Sequence, residues 1–272
     1  MKPKVLVLTG YGFNCDYETK HTFELAGAEA EVVHINELIF GEKKLIDYHI
    51  LAVIGGFTYG DDIAAGKILS SRLKSNLWPQ LEKFISDGKL IIGICNGFQA
   101  LVKAGLLPAI SGHDKQEVTL TFNDSGKFED RWITLKFNQD SPCVWTKGMD
   151  LLDMPVRHGE GKFFTNSATM NQLFDKNLIV GQYAKNGGLA NGSYPENPNG
   201  SPSDVAAICD PTGRIFGLMP HPEAFNHITN HPNWTEIREQ ARRQGKNLTE
   251  LGAGVQIFKN AVDYAVKQLM QK

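Results

Sequence analysis

Apolar and polar residues alternate in two textures along the chain. Before Glu117, short unbroken apolar runs take turns with stretches of helical spacing. Val5–Thr9, Glu31–Ile35, His49–Ile54 and Leu90–Ile94 read as strands, and Tyr17–Ala26, Asp62–Lys74, Leu77–Asp87 and Gly97–Ala104 read as helices. Gly27 and Gly105 stand where a left-handed cap stops a helix, and Pro79 falls early in one, where its missing N–H does little harm. Near-continuous apolar strands joined by helical crossovers predict a parallel sheet covered on both faces. From about Glu117 the texture changes. Val118–Phe122, Trp132–Phe137, Leu178–Tyr183, Val205–Cys209 and Ile215–Met219 read as strands with no long helix between them, and Asp210–Gly213 reads as a hairpin-type turn. Residues Lys185 to Ser203 are rich in Gly, Asn, Pro and Ser and read as a long loop. Ala253–Leu269 has the spacing of a closing amphipathic helix. No linker or internal repeat interrupts the pattern, so residues 1–272 are expected to form a single domain.

The composition narrows the choice of function. A 272-residue chain with 42% hydrophobic and 21% charged residues can bury a large core, and its net charge of −2 gives no electrostatic footprint for nucleic acid. No stretch approaches the ~20 apolar residues of a membrane helix, and the N-terminal run lacks the features of a secretory signal. Cys15, Cys95, Cys143 and Cys209 are far apart with no CxxC pair, which fits reduced thiols in a cytoplasmic protein. Cys15, Cys143 and Cys209 have no reactive setting and are expected to be structural.

Cys95 differs. A buried strand runs into Gly93-Ile94-Cys95-Asn96-Gly97 and a helix follows, the strand–turn–helix arrangement of a nucleophile elbow with cysteine in place of serine. Such a tight turn has no room for Cβ atoms beside the nucleophile. A helix N-terminus favours thiolate, and the Asn96 N–H can face a developing oxyanion. A base and its orienter stand in Met219-Pro-His-Pro-Glu223: in an extended, proline-stiffened segment His221 and Glu223 project to the same side. Nucleophile, base and orienter make the triad logic complete. A metal site of His221, His227 and His231 lacks further ligands at useful spacing, so no metal is expected.

Taken together, these segments resemble the class I, triad-type glutamine amidotransferases. Gly55-Gly56-Phe57-Thr58-Tyr59-Gly60-Asp61 is similar to that family's glycine loop at a strand end, Gly93–Gln99 to its elbow, and Met219–Glu223 to its His/Glu motif. Asn96, Phe98, His158-Gly-Glu-Gly161, Asn197–Ser201 and Phe57–Asp61 resemble the small-subunit branch that serves phosphoribosylformylglycinamidine synthase. The resemblance implies an α/β, flavodoxin-like three-layer sandwich with a largely parallel central sheet and a smaller antiparallel portion. It also implies hydrolysis of L-glutamine by Cys95, His221 and Glu223. Backbone N–H groups of Gly56, Phe57 and Asn96 would form the oxyanion hole, and Gln99, His158 and Gly159 would lie against the glutamine. Ammonia would pass to a large synthase subunit, accompanied by a small third subunit. That partner would hold ATP and Mg, with no cofactor on this chain. No G-x-x-x-x-G-K-[ST] string is present. The loop Lys185–Ser203 is a candidate partner contact, and residues 224–252 extend beyond shorter members. Rival readings are a subunit serving another synthase, an inactive module of the same fold, and a cysteine peptidase or γ-glutamyl hydrolase.

Overall fold

The computed structural model describes residues 1–271. Its N-terminal half follows the apolar runs closely. Strands β1 (Lys4–Thr9), β2 (Glu29–His34), β3 (Ile50–Val53) and β4 (Leu90–Ile94) are parallel, paired β2-β1-β3-β4. The crossovers carry α1 (Asp16–Leu25), α2 (Ile35–Ile39), α3 (Lys67–Arg72), α4 (Trp78–Ser86) and α5 (Asn96–Ala104). β3 and β4 are buried at every residue, as a sheet covered on both faces requires. The helix expected over Asp62–Lys74 is shorter. Gly60 and Gly66 take left-handed φ values and hold the chain in turns until Lys67, and a π turn spans Leu73–Leu77.

The second half adds β5 (Thr119–Thr121), β6 (Glu129–Phe137), β7 (Leu151–His158), β8 (Lys162–Phe164), α6 (Ser167–Asp175), β9 (Ile179–Lys185), β10 (Gly188–Leu189), β11 (Val205–Cys209), β12 (Ile215–Leu218), α7 (Trp234–Arg243) and α8 (Val255–Gln268). β12 joins β4 in parallel, and the ladder continues antiparallel through β11, β9, β6 and β7, while β5 and β8 form a separate antiparallel pair. The α/β sandwich with a parallel central sheet and an antiparallel portion is as expected. Three helices were not: α2 begins at Ile35, where the strand expected over Glu31–Ile35 ends, α6 begins under an Asn166 side-chain cap, and α7 lies in the 224–252 extension. β7 was also unforeseen. Pro155 interrupts its pattern, and proline is tolerated because β7 is an edge strand.

α1 packs on α8, with Phe23 edge-on to Phe258, while α3 packs on α5. The ends of β3, β4 and β12 come side by side where the carboxyl ends of parallel strands open a crevice. Although β7 ends the ladder, it curls back over that crevice: the His221 N–H donates to Pro155 O at 2.8 Å. No helix among the described residues is long and apolar enough to cross a membrane.

Candidate active site

Cys95 sits on the turn between β4 and α5 with φ 51° and ψ −108°, a conformation unusual for a residue with a side chain. The surroundings hold it there. Its N–H donates to Leu218 O at 2.8 Å and its carbonyl accepts from the Gln99 N–H at 3.1 Å. A Cβ on Gly97 would lie 1.8 Å from Val53 O, and one on Gly93 would lie 2.9 Å from Phe98 Cα, so both neighbours must be glycine. Cys95 is 5% exposed, with Sγ 3.6 Å from Arg157 O on β7.

His221 and Glu223 follow β12. The expectation of an extended segment needs correcting, because Pro222–Ala224 form a 3-10 turn. That turn, rather than strand alternation, brings His221 Nδ1 to 2.5 Å from Glu223 Oε1. His221 is 2% and Glu223 0% exposed. Burial alone disfavours a charged imidazole, but the Glu223 carboxylate, with Cys95 and Cys15, outweighs it and holds His221 protonated well above the ordinary value. A Cβ on Gly55 would fall 2.8 Å from His221 Cε1, 3.2 Å from Cys15 Sγ and 3.6 Å from Cys95 Cβ. The imidazole and both thiols therefore converge on the bare backbone of that loop.

The glycine loop is turned in a definite sense. Phe57 N–H donates to Gly12 O at 2.8 Å, and Asn14 N–H donates to Gly55 O at 3.3 Å. Phe57 is thus a correction: its N–H is already taken by Gly12 O, on the segment after β1. Gly56 pairs with Phe13 in an isolated antiparallel bridge whose hydrogen bonds are donated by Phe57 and Asn14, so the Gly56 N–H is not spent on that segment. Asn96 supplies its backbone N–H as an orphan of the α5 first turn. Its side chain accepts from Thr58 Oγ1 at 2.6 Å and donates to Asp61 Oδ1 at 3.0 Å and Gln99 Oε1 at 2.9 Å, tying the glycine loop to the elbow.

Gln99 passes the chain on, donating from Nε2 to Glu160 O at 2.5 Å. His158, Gly159 and Gln99 line a cavity of about 300 Å³ that Cys95 also lines, and a cavity of about 210 Å³ opens beside Cys95, Cys15 and His221. His158 Nδ1 meets Asn123 Oδ1 at 3.1 Å, and burial, aided by the charge of His221, pushes its pKa down to about 3. A larger cavity of about 620 Å³ lies beneath the α7 extension; no cysteine lines it, and its one carboxylate–imidazole pair, Asp153 Oδ2 at 3.4 Å from His231 Nε2, has no nucleophile beside it. The three histidines of the discarded metal reading are not brought together: His227 caps the turn Ile228–Asn230 and His231 packs on Trp132.

Sequence reasoning missed the role of the Asn-rich loop. Asn199 is fully buried and donates to Gly161 O and Tyr183 Oη, both at 2.8 Å, while Ser201 Oγ donates to Asn199 Oδ1 at 2.7 Å. Asn197 donates to Asp204 at 2.8 Å. The loop props the His158–Gly161 wall from behind.

Residues 2–265 match the family described as CobB/CobQ-like glutamine amidotransferase domain. The chain belongs to this glutamine amidotransferase family. Among its members, a Methanococcus maripaludis protein named phosphoribosylformylglycinamidine synthase subunit PurQ is 47% identical over 265 residues, covering 96% of this chain and 97% of that one. A Dehalococcoides mccartyi protein of the same name is 47% identical over 264 residues, covering 97% and 98%. In the structure of PurLQS from Thermotoga maritima, a chain covers 97% of this amidotransferase and 99% of itself at 27% identity, with a TM-score of 0.70.

Proposed function

We propose that the chain is the glutaminase subunit of a phosphoribosylformylglycinamidine synthase, with Cys95 as nucleophile, His221 as base and Glu223 as orienter. The observation that carries the reading is a thiol on a strained strand-to-helix elbow, beside an imidazole buried on a carboxylate. Near-full-length relatives named as subunits of that synthase support the assignment to it.

In this reading the Cys95 thiolate attacks the side-chain carbonyl carbon of L-glutamine lying against Gln99, His158 and Gly159. The N–H groups of Gly56 and Asn96 hold the tetrahedral oxyanion. His221 gives its proton to the departing ammonia, leaving a γ-glutamyl thioester, then takes a proton from water as that water releases glutamate. Glu223 keeps Nδ1 protonated and leaves Nε2 for these transfers. Ammonia passes to a large synthase subunit, which holds ATP and Mg. The name PurLQS of the similar assembly fits a small third subunit as well. The work belongs in the cytoplasm.

The test is Cys95→Ala in the reconstituted complex. Glutamine-dependent synthesis should vanish while synthesis from added ammonium persists. Loss of both would assign Cys95 a structural role, and residual glutaminase activity near that of the wild type would overturn the mechanism.

A further inference from the structure

Cys15 takes no part in that chemistry, yet it is buried beside it. Its Sγ lies 3.9 Å from His221 Nδ1, the nitrogen turned toward Glu223, and burial pushes its thiol pKa up. The Cys15 thiol, an imidazole nitrogen of His221 and a carboxylate oxygen of Glu223 all lie within 4.8 Å of one another, and Cys95 falls outside that group. Glu223 Oε2 is buried and has no hydrogen-bond partner among the described residues. Cys15 and His221 open on the cavity of about 210 Å³ that Asn14 and Glu18 also line.

Sulfur, nitrogen and oxygen donors so arranged match a borderline-soft cation held by three protein ligands with a fourth position left to water. We propose that Cys15, His221 and Glu223 form a binding site for Zn²⁺ on the Nδ1 side of the imidazole, and that filling it switches the glutaminase off. Bonds of about 2.0–2.3 Å set tetrahedral ligands roughly 3.3–3.6 Å apart. The carboxylate therefore swings slightly away from Nδ1 and the thiol draws slightly in. Binding sends the Cys15 thiol proton and the Nδ1 proton to solvent. With a cation in the place of the Nδ1 proton, the imidazole loses the basicity it needs at Nε2. The glutamine cavity beside His158 and Gly159 stays open, so glutamine does not compete with the metal. The loss of activity rests on the catalytic reading above; the binding does not.

Two measurements separate the parts. The metal-stripped full-length chain is titrated with Zn²⁺ against a chromophoric chelator, and with Co²⁺ while the thiolate-to-cobalt absorption is followed. Wild type and Cys95→Ser should each take one equivalent, and Cys15→Ala should bind at least about tenfold more weakly and lose the absorption band. Cys15→Ser replaces the alanine variant if thermal unfolding shows that variant to be damaged. Stoichiometric binding that survives in the Cys15 variants, or that is abolished by Cys95→Ser alone, overturns the site, as does a wild type that binds no metal. In the assembled complex, Zn²⁺ should lower glutaminase kcat with little change in KM. Equal sensitivity of Cys15→Ala would overturn the switching role.

Discussion

Glu223 reaches the reaction only through His221 Nδ1, which it meets at 2.5 Å. His221→Ala removes the proton carrier and should lower kcat by about 10²–10⁴-fold in the assembled complex. Glu223→Gln keeps a hydrogen-bonding group in place and should lower it less; steady-state rates showing the reverse order would remove Glu223 from the orienting role. His158 yields a prediction on stability. It is neutral in the folded chain, with its pKa lowered from 6.5 to about 3 by burial. A histidine so depressed adds full stability above pH 6.5, where both states are neutral, and loses it as acid charges the unfolded chain first. Between pH 6.5 and about 3 the wild type should lose stability on acidification more steeply than His158→Gln, by an amount on the order of a few kcal/mol at the acid end. Denaturant unfolding across that window measures the difference, and parallel curves would contradict it.

Among the elements, the meeting of α5 with the end of β3 is the tightest. Gly97→Ala would thrust a methyl group to 1.8 Å from Val53 O, and backbone cannot step aside as a flexible side chain can. A loss of at least about 1–3 kcal/mol in chemical denaturation is expected. Asn199→Ala leaves Gly161 O, Tyr183 Oη and Ser201 without their buried partner. It should destabilise by about 1–3 kcal/mol and raise KM for glutamine more than it lowers kcat, because the wall it props is part of the glutamine cavity. These elements differed in how far the sequence announced them. β4, β11 and the elbow were legible because unbroken apolar runs end in glycines or turns whose steric demands are local. β7 was not, since Pro155 and alternating polar residues suit an edge strand whose place depends on β6. The buried side chains of Asn197 and Asn199 look like solvent-loop residues until Tyr183 and Gly161 supply their partners. Cys95, His221 and Glu223, the residues proposed as nucleophile, base and orienter, could be picked out by their motifs. Cys15 could not, because only the fold brings it beside His221.

At the scale of the whole molecule, the site is shaped by surfaces that meet from both halves of the chain. Phe57 and Phe128, 50% and 52% exposed, stand at its mouth with ring centroids 6.2 Å apart. Phe57 carries the N–H that is turned to Gly12, so pressure from a docked subunit would bear directly on the glycine loop. An oxyanion donor gained or lost changes the rate by about 10²–10³-fold. Glutaminase activity of the isolated chain should therefore rise at least about tenfold when the synthase subunit and its nucleotide substrates are added, a change of about 1.4 kcal/mol in barrier. An isolated chain already as fast as the complex would exclude such gating. The nucleophile itself has less freedom. Its N–H is locked to Leu218 O on the neighbouring strand, so the thiol is mounted on the central ladder while the oxyanion donor is mounted on a loop. In heavy water this difference becomes a clock: the Cys95 amide should keep its proton until the whole domain opens, whereas the Gly56 amide should exchange through local breathing alone. A saturating glutamine analogue should then slow both amides, Cys95 through the added global stability and Gly56 through the local opening it blocks.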